Sequence, residues 1–138
     1  MQEGWRADDY LILFSEAEVP STSNRYEISK FLPGYQIIGL CGWDDFILRD
    51  SLGKTYCVPT IPLDRKYVES YPSPDPSQPL EFDERYCGKI KWYIKPIVFG
   101  GKAEIGNNLT WVSHEQHGEL VRWWNNLYLS VRPRTAED

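Results

Sequence analysis

The sequence has few of the residues on which catalytic and metal-binding motifs depend. Its three cysteines, Cys41, Cys57 and Cys87, are odd in number and form no CxxC pair, so neither a disulfide framework nor a zinc ribbon is expected. His114 and His117 are three residues apart, which is not the i, i+4 spacing of an HExxH zinc site. The sequence therefore predicts no metal site and no cofactor.

Long hydrophobic runs and an excess of basic residues are also missing. No apolar run approaches the roughly 20 residues that a membrane-spanning helix needs, and residues 1–9 lack the basic and apolar regions of a secretory signal. We therefore expect a cytoplasmic protein. Fifteen Lys and Arg against 20 Asp and Glu give a net charge of −5, which argues against nucleic-acid binding. This charge is compatible with a basic protein partner, and in the alternative it only keeps the protein in solution.

Motifs for nucleophilic or phosphate chemistry are absent as well. There is no GxSxG elbow, and Gly100-Gly101 is followed by Lys102-Ala103 rather than by the Lys-Ser/Thr of a phosphate loop. The acidic pairs Asp8-Asp9 and Asp44-Asp45 are adjacent in sequence, and neighbouring residues of a strand point to opposite faces. The two carboxylates of such a pair are therefore poorly placed to act as acid and base on one substrate. With none of these motifs present, we expect a protein that is not an enzyme.

Aromatic residues are abundant and supply most of the apolar mass. Six Trp, nine Tyr and five Phe in 138 residues are enough for one domain, residues 1–138, with a substantial core. Four prolines within residues 72–79 exclude a helix or a central strand there and predict an extended connection. This connection separates a first part, residues 10–71, from a second part, residues 80–138.

The first part has the pattern of a β-meander. Residues 10–14 predict a buried strand, and Ser23 or Asn24 is expected to cap a short helix that ends near Leu32. Three further strands are predicted, at residues 35–41, 45–49 and 54–61, followed by one or two helical turns within residues 64–71. Because the connections between these strands are short, the strands must be antiparallel neighbours.

The second part predicts two strands and a long helix. The strands are expected at residues 90–95 and 109–112, with a turn at residues 106–108, and the helix at residues 114–130. Ser113 and Gln116 fit a capping box at the start of the helix. A helical wheel predicts an apolar face made by His117, Leu120, Val121, Trp123, Trp124, Leu127, Tyr128 and Val131. The opposite face would hold Glu115, Gly118, Arg122, Asn125 and Asn126.

The predicted fold class is therefore α+β. We expect an antiparallel sheet of about five to six strands, with the C-terminal amphipathic helix packed across it through Leu120, Trp124 and Tyr128.

The turn Gly42-Trp43-Asp44-Asp45 is the candidate recognition surface. An aromatic side chain flanked by charge is typical of a protein-interface hot spot, so we predict partner contacts from Trp43, Asp44 and Asp45, with Asp50 nearby. In the alternative, the Trp43 side chain folds back over the open face of the meander.

Two stretches of the first part resemble the SMI1/KNR4 (SUKH) superfamily. Residues 31–39 read FLPGYQIIG, and residues 55–63 read TYCVPTIPL, which is similar to the family pattern "vyxvPfxpl". The resemblance covers residues 10–71. The chain departs from the family at residues 40–44, LCGWD, where several glycines are usual, and it has no counterpart of the family's opening helix in residues 1–9.

The resemblance implies a bacterial immunity protein that binds and neutralises a cognate toxin. Two other functions remain open. One is a small enzyme whose site is assembled around His117 and Asp50 in the fold. The other is a structural subunit of a bacterial or phage assembly. A homodimer with Trp43 or Trp123 at its interface would favour this function.

Overall fold

The central element is a six-stranded antiparallel sheet in which every strand pairs with the next one along the chain. The computed structural model describes residues 1–75, 77–101 and 108–131. Within them the sheet consists of β1 (Gln2–Arg6), β2 (Asp9–Leu13), β3 (Tyr35–Cys41), β4 (Asp45–Asp50), β5 (Thr55–Pro59) and β6 (Glu69–Ser70). The α+β class and the antiparallel meander are confirmed.

A separate hairpin and five helical segments complete the described structure. The hairpin consists of β7 (Ile90–Tyr93) and β8 (Leu109–Val112). The α-helices are α1 (Val19–Arg25), α2 (Ile28–Phe31) and α3 (His114–Val131), and short 3₁₀ turns lie at Arg65–Tyr67 and Ile97–Phe99. None of the described helices is long and apolar enough to cross a membrane. Of the turn predicted at residues 106–108, residues 106 and 107 lie outside the described part.

The connection between β2 and β3 differs from the prediction of one short helix. The first helix begins at Val19, so Ser23 lies inside it instead of capping it, and the Ser23 hydroxyl accepts a hydrogen bond from the Ile37 amide at 3.0 Å. A proline in the first helical turn needs no hydrogen-bonded amide, which permits this early start. Glu27, at φ 52°, then separates α1 from α2.

Strand β1 was not predicted. Its sequence, QEGWR, has no alternation of apolar residues, and Trp5 is its single large apolar side chain. Pairing with β2 on one side and a two-way main-chain bridge between Trp5 and Glu81 on the other hold the strand in place. The bridge is tertiary, and the two-residue turn Ala7-Asp8 that joins β1 to β2 lacks the glycine that usually marks a tight hairpin, so the local sequence gives little sign of the strand.

One face of the sheet carries the main hydrophobic core, and both parts of the chain contribute to it. The largest buried side chains in this cluster from the first part are Tyr10, Ile12, Tyr26, Leu32, Ile37, Leu40, Phe46 and Leu48. Ile90 and Trp92 from β7 and Val121 from α3 belong to the same cluster. The hairpin and α3 therefore pack on the meander through a continuous apolar interior.

The close approach of β2 and β3 requires a glycine at position 39. A Cβ atom placed on Gly39 would lie 2.5 Å from the Ile12 carbonyl oxygen, well inside van der Waals contact. The register of β3 against β4 shifts between Ile37 and Gly39, which is a β-bulge. The glycine thus allows β3 to bend without losing its pairing to β2.

The helix α3 begins as predicted. Its capping box is confirmed, because the Gln116 amide donates to the Ser113 hydroxyl at 3.2 Å and the Ser113 amide donates to the Gln116 side-chain oxygen at 3.0 Å.

The buried face of α3 is rotated from the predicted one. The buried residues are His117, Gly118, Val121, Asn125 and Tyr128, whereas Trp123 is 59% exposed and Val131 is 61% exposed. Placing Gly118 and Asn125 on the outer face was wrong, since the wheel assumes that polar and small residues face water.

Tertiary contacts explain why Gly118 and Asn125 are buried. A Cβ on Gly118 would lie 2.8 Å from Cγ of Arg25, so α1 approaches α3 closely at this point. Asn125 is hydrogen-bonded to the chain that follows β5.

Candidate functional site

The Trp43 side chain lies in the core. Its indole is 9% exposed and stacks on the Tyr10 ring, with ring centroids 4.7 Å apart. Edge contacts to Trp5, Tyr86 and Trp111 surround it at 5.1–6.1 Å. The prediction of an exposed Trp43 is wrong, and the alternative that it folds back over the sheet is what the structure has.

The left-handed turn between β3 and β4 produces this arrangement. Gly42 and Trp43 have φ angles of 60° and 62°, and the Asp44 amide donates to the Gly42 carbonyl at 2.7 Å. The turn places the indole against Tyr10 and leaves Asp44 half-buried, facing the hairpin.

Asp44 is bound to two side chains of β7. Its Oδ2 atom accepts a hydrogen bond from Nζ of Lys91 at 2.8 Å and a longer one from the Tyr93 hydroxyl at 3.4 Å. Nζ of Lys91 also lies 5.9 Å from the centroid of the Trp43 ring. Burial lowers the pKa of Lys91, but the hydrogen bond and charge of Asp44 outweigh burial, so the pKa is raised and the ammonium is retained.

Asp45 has no such partner in the part of the chain that the structure describes. Its carboxylate makes no hydrogen bond and no ion pair with any described residue, although the side chain is half-buried. Burial raises its pKa, and the negative charges of Asp44 and Glu69 raise it further against the opposing effect of Lys91. An incoming positive charge would relieve this repulsion.

A pocket opens beside these carboxylates, between the ends of β4 and β5 and the β7 strand; we call it the Asp44–Asp45 pocket. Its volume is about 350 Å³. The polar end consists of Asp44, Asp45, Lys91 and Tyr93. The rest of the lining is Pro59, Thr60, Ile61, Pro62, Tyr67, Trp92, Pro96, Ile97 and Val98. Ile97 is 53% exposed and Val98 43%, so the pocket has an apolar rim open to solvent.

Asp50 lies away from this pocket and has a structural role. It ends β4, which Asp45 begins, so about 17 Å separates the two along the strand. Its carboxylate accepts hydrogen bonds from the amides of Leu52 and Lys54 and from the Tyr56 hydroxyl, at 2.9–3.0 Å. The structure therefore brings Asp44 and Asp45 together and leaves Asp50 apart, holding the β4–β5 turn.

His117 is fully buried and packed. Its Nδ1 atom lies 2.6 Å from the Tyr26 hydroxyl, and the ring contacts those of Phe46 and Trp92. Burial lowers the pKa of His117 to about 3, and the nearby His114 adds to the effect. His117 lies on the buried face of α3, whereas Asp50 lies at the β4–β5 turn. The described residues therefore show no cleft that contains both, which a catalytic site around these two residues would require.

Sequence reasoning missed Lys91, Tyr93 and the apolar rim. The alternation of residues 90–95 places Lys91 and Tyr93 on one face of a strand, which is the one local sign of their shared role. Nothing local indicates that this face meets Asp44, since 47 positions separate Lys91 from Asp44.

No group of three or more His, Cys, Asp or Glu side chains among the described residues is placed to hold a metal ion. In comparisons with known proteins, no family model, no curated protein and no solved structure matches the chain.

Proposed function

We propose that this protein is a non-enzymatic protein-binding module that recognises its partner at the Asp44–Asp45 pocket. The observation that carries the proposal is the half-buried Asp45 carboxylate, which no described residue pairs, beside an exposed apolar rim. Exposed apolar side chains next to an unsatisfied charge are features of a surface that a partner completes. The polar end attracts a cation, and the rim offers Ile97 and Val98 for burial.

The proposed partner is a basic protein, and a cognate bacterial toxin is the specific proposal. The net charge of −5 and the unpaired Asp45 support a basic partner. The similarity of residues 31–39 and 55–63 to the SMI1/KNR4 superfamily supports toxin neutralisation, with both proteins in the cytoplasm.

A small-molecule site, with or without catalysis, is the second candidate for the same pocket. The volume of about 350 Å³ lies in the range of ligand-binding cavities, and a carboxyl of raised pKa beside an ammonium is an arrangement used in acid–base catalysis. Binding of a protein partner that leaves the pocket open would favour this candidate.

The test is capture of a partner with two matched double variants. Asp44→Asn with Asp45→Asn removes the negative charge of the pocket, and Asp8→Asn with Asp9→Asn removes the same charge from an exposed turn at the β1–β2 end. Lysate of the native host is passed over each immobilised protein. We expect a stoichiometric basic protein on the wild type and on the Asp8/Asp9 variant, and its loss from the Asp44/Asp45 variant.

The captured protein is then expressed alone and together with each variant. Toxicity that wild type suppresses and the Asp44/Asp45 variant does not would support immunity. A partner retained equally by both double variants would show that the pocket is not the recognition surface.

A further inference from the structure

Among the described residues, nothing pairs with the outer strand edge of the hairpin beside the Asp44–Asp45 pocket. The Ile94 amide donates to the Asn108 carbonyl at 2.9 Å, and Trp92 pairs with Thr110 in the same register. Hydrogen-bonded pairs alternate with non-bonded pairs in an antiparallel ladder. The main-chain N–H and C=O groups of Lys91 and Tyr93 therefore point away from β8, toward the outer edge of β7.

These outward groups have no partner within the described structure. The two-stranded sheet contains β7 and β8 alone, and no described residue donates to or accepts from the main chain of Lys91 or Tyr93. The same two residues, with Trp92 between them, line the Asp44–Asp45 pocket. An open strand edge is a template for another strand, and here it forms a wall of a cavity.

We infer that an extended segment of the protein partner pairs with the outer edge of β7 as an added strand, with a basic side chain beside Asp44 and Asp45. Its main chain would complete the hydrogen bonds of Lys91 and Tyr93, the mode known as β-augmentation. The inference rests on the proposed function, because it names how the same pocket recognises its partner.

Side-chain alternation defines the chemistry of the segment. Partner residues opposite Lys91 and Tyr93 lie on the face where both side chains contact Asp44. Lys91 neutralises one carboxylate there and Asp45 remains unpaired, so a basic residue fits this face. The partner residue opposite Trp92 lies on the other face and is expected to be apolar. The segment is therefore an alternating basic–apolar strand.

Hydrogen exchange measured by NMR tests the inference on the wild-type protein. The probe is a short acetylated peptide of alternating valine and arginine at millimolar concentration, with a valine–glutamate peptide as its control. We expect the Lys91 and Tyr93 amides to exchange about tenfold more slowly with the valine–arginine peptide. The Leu109 and Trp111 amides, which point outward from β8, should be unaffected.

Proline variants test the same hydrogen bonds through affinity. Tyr93→Pro removes an outward N–H without breaking the bonds to β8, and Tyr93→Ala removes the side chain alone. We expect Tyr93→Pro to bind the valine–arginine peptide about tenfold more weakly than Tyr93→Ala, the effect of one hydrogen bond. Leu109→Pro against Leu109→Ala is the matched pair on the far edge, and its two members should bind equally.

The outcomes separate this inference from the proposed function. Peptide binding that depends on Asp44 and Asp45 but leaves the Lys91 and Tyr93 amides unprotected would overturn strand addition and leave the pocket as a binding site. Protection that rises with protein concentration in the absence of peptide would show that a second copy of this chain takes the edge, which overturns the inferred partner. No binding of the valine–arginine peptide would also overturn it, while the capture experiment tests the proposed function separately.

Discussion

Asn125 connects α3 to the chain after β5 through its side-chain amide. Its oxygen accepts from the Leu63 amide at 2.7 Å, and its nitrogen donates to the carbonyls of Thr60 at 2.8 Å and Val121 at 2.9 Å. The residue is 1% exposed, so water cannot replace these bonds. The hydrogen bond from Asn125 also positions Thr60, which lines the Asp44–Asp45 pocket.

Substitution of Asn125 with leucine should destabilise the fold strongly. The change leaves the buried Leu63 amide and Thr60 carbonyl unpaired, and we expect a loss of roughly 2–4 kcal/mol in the free energy of unfolding, measured by urea denaturation. Asn126→Leu at the exposed neighbouring position is the control and should cost less than about 1 kcal/mol. Equal losses at the two positions would contradict the assigned role of Asn125.

His117 makes stability depend on pH. Its pKa in the folded protein is about 3, against an ordinary value of 6.5, because burial disfavours the charged ring. The unfolded chain therefore binds a proton that the folded protein does not, so stability falls as pH drops below about 6.5 and continues to fall toward pH 3. At pH 5 this group alone should cost about 2 kcal/mol.

Denaturation at pH 7 and pH 5 isolates this contribution. The wild type should lose about 2 kcal/mol more between these pH values than His117→Gln, which has no ionisable ring at this position. Tyr26→Phe is the control, because it removes the hydrogen bond to Nδ1 and keeps the buried imidazole, so its pH dependence should follow the wild type. Parallel profiles for wild type and His117→Gln would show that His117 does not titrate in this window.

At the scale of elements, a helix or strand was predicted accurately from the sequence where the residues that determine it lie close together along the chain. Strand β3 was predicted with its observed bounds, Tyr35–Cys41, because a run of strand-forming residues lies between the turn signals at Pro33-Gly34 and Gly42. β1 was missed because its sequence has no apolar alternation and its hairpin turn, Ala7-Asp8, contains no glycine. The helix α3 was found from its cap and period, but its buried face was rotated by contacts with α1 and with the chain after β5.

The capping box of α3 gives a prediction at this scale. Ser113→Ala removes the acceptor for the Gln116 amide, and we expect a loss of about 0.5–2 kcal/mol in the free energy of unfolding. Ser130→Ala changes an exposed serine in the last turn of the same helix and should cost less than about 0.5 kcal/mol. Thermal unfolding of both variants measures the two losses of stability. A larger loss from Ser130→Ala than from Ser113→Ala would show that the N-terminal cap contributes little.

At the scale of the whole molecule, the charge distribution should govern association with the proposed basic partner. The net charge of −5 attracts such a partner at a distance, and salt screens this attraction. We expect the association rate constant to fall on the order of tenfold when ionic strength rises from about 0.05 to about 0.5 M, with a smaller change in dissociation. Surface plasmon resonance would measure both rate constants.

The two double variants separate net charge from local charge. Asp8→Asn with Asp9→Asn changes the net charge as much as Asp44→Asn with Asp45→Asn does, but at a site away from the pocket. If the pocket carries recognition, the Asp44/Asp45 variant loses most of the salt dependence and the Asp8/Asp9 variant keeps it. Equal effects would assign the attraction to net charge alone.

The sequence by itself determined the fold class, the meander order of β3, β4 and β5 and the start of α3, because periodicity, short turns and capping act between residues that are close along the chain. Tertiary structure alone decided that Trp43 is buried, that Asn125 faces inward and that Lys91 meets Asp44 across 47 positions. It also decided that Asp44 and Asp45 line a pocket beside an edge of β7 that no described strand pairs, while Asp50 holds a turn. Such contacts depend on which surfaces pack together, and a single sequence read locally does not specify that.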